Sequence, residues 1–506
     1  MIMEKTNGLL YEKAVRWLLE HIREYRIPLI SSWIVGLLAH MFMFTNKIVN
    51  HDDVLYLFSK GETLVSGRWL LALTGYIFPN CSMPWIYGVL SLAITAATVC
   101  LIVKIFDIRS KYLQALLAGL IVSFPAQTSI FCFMFTSAPY ALAFLGSVLS
   151  VYILIRGSLK SLLAGSAVLA LTLGIYQGYI AVASSLYIIL MIQALLKGEP
   201  AGKVFKDGLR YAAALLAALG LYYAVTLVIC RLSGTELLSY GYSEDSILFR
   251  VLLAYNGFLR SIISGYFGFV NSGISMTAHL ACLIAMAVLL VHYFSKRRTK
   301  KTKEALLLFV CAALFPLSIN CLYLIAQTGV INSWTLYSFI CVYILAAVIV
   351  ELLAEKNWLN DVVLISFTLV IISNVFFANK VYLKMYLGNE SMFAYYSAMA
   401  ADIRQSPDYK DGMTLAILGE ETDLVEYMDE IDTGYFTGPA DNTINMYTRD
   451  CFLKYYIGLN VPTLPYLDTY KIRGDIESTD EFKSMPEYPA EGSIAEIDGY
   501  LVVKLG

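Results

Sequence analysis

A mainly α-helical, polytopic membrane protein with a small α/β segment at its C-terminal end is the fold class this sequence predicts, on three observations. Of 506 residues, 58% are hydrophobic and 15% charged, with a mean hydropathy of +0.64; a soluble domain carries about 25% charged residues. Apolar runs of about 20 residues recur, long enough to cross a hydrocarbon core of about 30 Å. From Lys380 onward, 10 Lys/Arg face 22 Asp/Glu, a net −12 within a chain whose total is −2. A membrane body with basic loops and an acidic soluble tail follow from that split.

The elements are taken in order. Residues 1–27 hold Leu10, Ala14, Trp17, Leu18, His21, Ile22 and Tyr25 on one helical face, an amphipathic helix lying on the cytoplasmic leaflet. The stretch is too charged for a cleavable signal peptide. The membrane body, 28–379, is expected to hold about eleven spans, starting near Pro28, Met83, Tyr112, Ser137, Leu162, Gly178, Tyr211, Met276, Ala305, Thr335 and Leu359. With the N-terminus in the cytoplasm, 21 Lys/Arg fall in inner segments and 6 in outer loops, the bias of the positive-inside rule. An odd number of spans places the tail outside. Outer acids are then few: Asp52, Asp53, Glu62, Glu236, Glu244 and Asp245. Inside the first outer loop, Val54 to Phe58 and Trp69 to Phe78 are apolar but too short to span, and read as interfacial helices.

The tail, 380–506, reads as a small α/β domain. Glu390 to Arg404 is helix-like, Thr414 to Gly419 is a buried strand with a turn, and Ser493 to Leu505 alternates around Asp498-Gly499, a hairpin signal. The nine cysteines show no ligand spacing, so neither a disulfide framework nor a zinc site is expected. His40, His279, Gln127, Asn320 and Asn374 lie in apolar runs, where interhelical hydrogen bonding is their expected work.

The residues with chemistry cluster at the outer ends of spans. Asp52 and Asp53 offer carboxylates that a partly desolvated mouth would raise in pKa, suiting a general base. The alternative is structural: Asp is a favoured N-cap, and Asp52 would cap the short helix after it. Arg68, in Ser66-Gly67-Arg68-Trp69, suits a bidentate phosphate contact; an arginine beside Trp69 that snorkels to headgroups is the competing reading. Lys60, Arg250 and Arg260 are rival phosphate ligands. Tyr176 and Gln177, in Gly174-Ile175-Tyr176-Gln177-Gly178-Tyr179, and the turn Phe135 to Tyr140 offer hydrogen bonds to sugar hydroxyls or an interfacial tyrosine belt.

Together, His51-Asp52-Asp53, Ser66-Gly67-Arg68-Trp69 and Ile175-Tyr176-Gln177 resemble the Gtr-type serotype-converting glucosyltransferases, a bacterial family with the GT-C membrane fold. The order of spans and a C-terminal extracytoplasmic domain agree with it. The sequence departs from the family pattern before Tyr337, where Asn332-Ser333-Trp334-Thr335 offers no arginine. The resemblance implies inverting transfer of glucose, or a related hexose, from an undecaprenyl-phosphate donor to a surface polysaccharide or its lipid-linked precursor, outside the bacterial plasma membrane. Carried over onto these motifs, Asp52 or Asp53 would be the base, Arg68 a donor-phosphate ligand, and Tyr176 and Gln177 pocket lining. The candidate site also takes in Lys60 beside the phosphate and His51, Trp69 and Tyr179 in the substrate pocket. No cofactor is expected, nor a metal, since His51-Asp52-Asp53 lacks a recognisable ligand spacing. Membrane lipids, the lipid-linked donor and the polysaccharide are the expected partners, with a companion donor synthase and flippase; nucleic acid is not among them.

Two rivals act on similar substrates. An ion-coupled transporter or glycan flippase would carry ionisable residues deep in its spans, and here Glu351 and Asp361 lie near inner ends. A polysaccharide polymerase would lean on arginines in large outer loops, where only Arg231, Arg250 and Arg260 qualify.

Overall fold

The computed structural model describes residues 12, 20, 22–57, 63–78, 81–237, 245–263, 273–296, 302–324, 333–353, 358–420, 431, 444–466 and 469–506. Most of the amphipathic segment 1–27 lies outside them, as does Lys60.

Helix α1 (Arg26–Thr45) is followed by two short helices, α2 (His51–Leu55) and α3 (Trp69–Thr74). Next come α4 (Pro84–Phe106), α5 (Lys111–Ser123), α6 (Pro125–Cys132), α7 (Met134–Leu154), α8 (Leu159–Ile175), a 3-10 turn at Gln177–Tyr179, α9 (Ile180–Leu196) and α10 (Ala201–Ser233). The second half contains α11 (Ile247–Ile263), α12 (Gly273–Lys296), α13 (Thr302–Ile319), α14 (Ile340–Leu352) and α15 (Trp358–Gln405).

Local chemistry sets these boundaries. Pro84 opens α4 at a position where its missing N–H costs nothing, and Asp107 closes it in the left-handed region (φ 53°). Ser110 and Ser158 cap α5 and α8 through their hydroxyls. Pro125 separates α5 from α6 because it holds Phe124 extended (ψ 137°).

Among the described residues, ten helices are long and apolar enough to cross a membrane, at ten of the eleven expected places. The eleventh, expected near Leu162, is α8, with 17 residues. α10 begins at Ala201, a full ten residues before the expected start, and runs for 33. The turn expected at Phe135 to Tyr140 is instead the first part of α7.

The long outer loop expected at 231–275 contains α11. Its buried Ala254, Phe258 and Ser261 recur at helical spacing while Ile247, Leu248, Leu252 and Leu259 are exposed. At 17 residues, with Arg250, Asn256 and Arg260 gathered on one side, this helix is amphipathic and too short for the span pattern that marks its neighbours.

The bundle closes through α1 against α4 and α5, α4 against α7, α7 against α8, and α12 against α15. His40 ties three of these together, with Nδ1 2.8 Å from the Tyr382 hydroxyl on α15 and Nε2 2.8 Å from the Val122 carbonyl on α5. Gln127 accepts from Tyr337 (3.1 Å), Asn320 donates to the Ala254 carbonyl (3.0 Å) and His279 bonds Tyr343 (2.8 Å), all as interhelical contacts. Asn374 differs, because its amide nitrogen is buried without a hydrogen-bond partner among the described residues.

The expected helix at Glu390 to Arg404 is the last third of α15, an unbroken helix of 48 residues. At 1.5 Å per residue it is about 72 Å long, more than twice the hydrocarbon thickness. Its far end packs with the C-terminal segment: β1 (Thr414–Leu418), α16 (Arg449–Phe452), α17 (Tyr470–Ser478), α18 (Asp480–Ser484), β2 (Ile494–Ile497) and β3 (Tyr500–Lys504). The sheet order is β1-β3-β2, with β1 parallel and β2 antiparallel to β3. The expected hairpin is present; Asp498 (φ 50°) and Gly499 (φ 81°) make its two-residue turn, a combination the right-handed strand twist favours.

Candidate active site

Helix α2 presents the acidic pair. Asn50, in an extended conformation just before it, accepts from the Asp53 amide at 3.0 Å, and Asp53 Oδ2 accepts from the Asn50 amide at 3.3 Å. This reciprocal arrangement is a capping box. Asn50 is therefore the N-cap, which corrects the capping role weighed for Asp52. An extended residue with a short amide side chain reaches three residues ahead, whereas Asp52 already lies inside the first turn.

The same asparagine donates its side-chain N–H to the Cys132 carbonyl at the end of α6. One residue earlier, Val49 exchanges two 3.0 Å hydrogen bonds with the Asn389 side chain on α15. α2 is thus fixed to α6 and α15 through its own cap.

The two aspartates differ in environment. Asp53 is fully buried, and its Oδ1 has no hydrogen-bond partner among the described residues. Burial pushes its pKa up to about 7, against the attraction of Lys47; the Lys47 ammonium donates to the Ser82 carbonyl at 2.8 Å. The Asp52 side chain is 32% exposed, and His51 Nε2 lies 3.6 Å from its Oδ1. Burial raises this carboxyl too, while His51 and Arg68 pull it back down.

Arg68 is placed by the turn before α3. Gly67 adopts φ +71°, and a Cβ there would sit 2.6 Å from the Tyr222 hydroxyl, so both backbone conformation and space call for glycine. Gln177 pins the turn by donating to the Ser66 carbonyl and the Tyr222 hydroxyl, both at 2.8 Å, and Tyr222 in turn donates to the Gly67 carbonyl at 3.2 Å. The Arg68 guanidinium lies 4.8 Å over the Tyr176 ring, a cation–π contact, and Tyr176 stacks on Tyr140 at 4.9 Å. Arg68 Nε is buried with no hydrogen-bond partner among the described residues.

Of the predicted site residues, His51, Asp52, Arg68 and Tyr176 converge. Gln177 is committed to holding the Arg68 turn. Trp69 and Tyr179 are 6% and 3% exposed: the indole is wedged against Gly174, where a Cβ would meet it at 2.6 Å, and Tyr179 packs on Phe144 and Tyr337. They back the site without lining open space. Among the rivals, Arg250 donates to the Leu324 carbonyl at 3.0 Å, and Glu236 and Asp245 are exposed. Among the described residues, no three His, Cys, Asp or Glu side chains gather where they could hold a metal ion.

Tyr140 belongs to the Phe135–Tyr140 segment that the sequence put forward, whereas Asn50, Asn389, Tyr222 and Tyr447 were missed. The Asn-x-x-Asp spacing of the capping box was available for Asn50. The two tyrosines carried no signal, since Tyr222 sits in an apolar run and Tyr447 belongs to the C-terminal segment. Its ring meets the His51 ring edge-on at 6.4 Å, and α16 packs against α2.

A multi-helix bundle with a carboxylate and a buried guanidinium gathered at one end defines a polytopic membrane protein equipped for polar chemistry. Residues 41–350 match the family model described as Glucosyl transferase GtrII, more than half of the chain, and the chain belongs to that family. It is a membrane glycosyltransferase, and the family resemblance read from the three short motifs is correct. No curated protein and no solved structure matches the chain.

Proposed function

We propose that this chain transfers glucose, or a related hexose, from an undecaprenyl-phosphate carrier to a surface polysaccharide or its lipid-linked precursor, with inversion, on the extracytoplasmic side of the bacterial plasma membrane. The observation that carries the reading is a partly exposed carboxylate, Asp52, that has His51 Nε2 3.6 Å away and lies near enough to the buried guanidinium of Arg68 for that charge to lower a pKa that burial raises. The orientation rests on the charge bias of the loops.

Asp52 is the base. It is accessible, free of capping work, and attended by His51 and Arg68. As the acceptor oxygen bonds to the anomeric carbon, Asp52 takes the acceptor's proton, and the carrier phosphate departs from the opposite face with the electron pair of the broken bond. Arg68 meets the charge growing on that phosphate, in a place where burial strengthens the attraction. Asp53 orders α2 and keeps a second carboxyl behind the base. A single lipid phosphate asks less of a metal than a diphosphate does, so transfer proceeds without one. A separate synthase and flippase supply the donor.

The test uses purified full-length protein in lipid, undecaprenyl-phosphate-glucose labelled in the sugar, and a cell-envelope extract as acceptor, with and without EDTA. Wild type transfers label in EDTA. Asp52→Asn binds donor but falls at least a hundredfold in kcat, within the usual reach of general-base removal. Full activity in Asp52→Asn with loss in Asp53→Asn moves the base to Asp53. Absence of transfer by wild type across several sugars and acceptors overturns the reading.

A further inference from the structure

The C-terminal segment does not stand apart from the catalytic helix. Val49 and Val54, flanking and within α2, are buried in one cluster with Met392 and Tyr396 of α15 and with Phe452 and Leu453. Hydrogen bonds hold the described residues behind this contact. Asn445 and Thr448 bond each other reciprocally, with the Asn445 amide donating to the Thr448 hydroxyl at 3.0 Å. Arg449, 1% exposed, reaches the carbonyls of Ile417 and Gly419 at the end of β1.

Between these buried residues, Tyr447 is 40% exposed, and its ring stands edge-on to His51. His51 therefore stands between Asp52, 3.6 Å away on one side, and the Tyr447 ring on the other, while Arg68 acts on Asp52 through its charge. A transfer reaction needs its two substrates on either side of the base; with the donor phosphate at Arg68, the acceptor belongs at the Tyr447 end.

We propose that Tyr447 is the platform on which the acceptor saccharide stacks, so that the C-terminal segment selects the acceptor while the bundle holds the donor. The inference rests on the reading given under Proposed function. A half-exposed aromatic ring on an ordered turn offers an apolar face to the C–H side of a sugar, with two side-chain torsions to fix and its hydroxyl toward water. Tyr447 also lies beyond the family match, which ends at residue 350. On this proposal, acceptor choice comes from C-terminal residues that the family match does not cover.

Kinetics of the full-length protein in lipid nanodiscs test this, with undecaprenyl-phosphate-glucose as donor. Acceptors are oligosaccharides released by mild acid from the producing cell's envelope polysaccharide. Tyr447→Ala raises the KM for acceptor about tenfold, equivalent to about 1.4 kcal/mol, and leaves the donor KM within twofold. Tyr447→Phe stays close to wild type in both. Tyr470→Ala, an exposed tyrosine elsewhere in the same segment, changes neither constant. Equal changes in both KM values, or a fall in melting temperature with no acceptor-specific effect, overturn the proposal. If wild type transfers nothing, the failure belongs to the proposed function, and saturation-transfer NMR still decides the subsite. Oligosaccharide protons saturated by wild type but not by Tyr447→Ala support it; equal saturation by both refutes it.

Discussion

Replacing Asn50 with alanine removes two jobs at once. The Asp53 amide loses its cap acceptor, which costs about 1 kcal/mol for a typical N-cap. The buried Cys132 carbonyl loses its donor, and an unsatisfied buried polar group costs about 1–3 kcal/mol. Both hydrogen bonds are inside the protein, so water offers little compensation. The sum, about 2–4 kcal/mol, falls on the placement of α2, because the Val49–Asn389 pair still anchors the preceding residue. At about 1.4 kcal/mol per factor of ten, the equilibrium for opening α2 shifts by a factor of about 30 or more. Hydrogen–deuterium exchange read by mass spectrometry on a peptide spanning residues 46–57 should accelerate accordingly, while the spans stay protected. The kcat for sugar transfer should fall at least tenfold, with a smaller change in donor KM. Asn50→Ser, which keeps a cap acceptor, should recover part of the loss. Unchanged exchange in that peptide with kcat within twofold of wild type would refute the claim that this cap positions the acidic pair.

Three further outcomes follow from the same geometry. Asp53 has a folded pKa raised to about 7 by burial, so its contribution favours the folded state at low pH and is lost as pH rises from about 4 through 7; Asp53→Asn should be more stable than wild type by about 2–4 kcal/mol at pH 8, the difference vanishing by pH 4, as followed by urea melts. Arg68→Lys keeps the charge but loses the planar group lying over Tyr176, and should raise the donor KM at least tenfold in steady-state assays. Gly67→Ala places a side chain at φ +71° and 2.6 Å from the Tyr222 hydroxyl; a penalty of about 1–2 kcal/mol from backbone conformation alone should appear as a lowered melting temperature with weaker donor binding.

What the sequence revealed follows the reach of its physical signals. Spans are legible because each is set by about 20 consecutive residues and one solvent, the hydrocarbon core. The hairpin at Asp498-Gly499 is legible because two adjacent residues determine the turn. α11 was not, since its 17 residues, interrupted by Arg250 and Arg260, fall short of the uncharged run that marks a lipid-crossing helix. At the site, Asp52 and Arg68 stood out as isolated charges near the ends of apolar runs. The residues that position them did not, because Asn389, Tyr222 and Tyr447 meet the start of α2 or the Arg68 turn across 155 to 396 positions of chain, and a single sequence records no trace of such contacts. Asn50 is readable from its Asn-x-x-Asp spacing, but Asp52, two residues on, has a residue type that suits both capping and catalysis and masks it.

The unbroken course of α15 has a geometric result for anything that inserts or deletes residues in it. A helix turns 100° and rises 1.5 Å with every residue, so the membrane-buried half and the half that meets the C-terminal segment share one angular phase. His40 meets Tyr382 and Val49 meets Asn389, two contacts only seven residues apart on that rod, and seven residues bring the helix back almost to the same face. One extra alanine between them would swing Asn389 a quarter-turn or more away from Val49, and the entire acidic segment beyond would be re-aimed with it. The chain thus behaves like a key cut from a single bar, in which the bits at one end are indexed by the grip at the other.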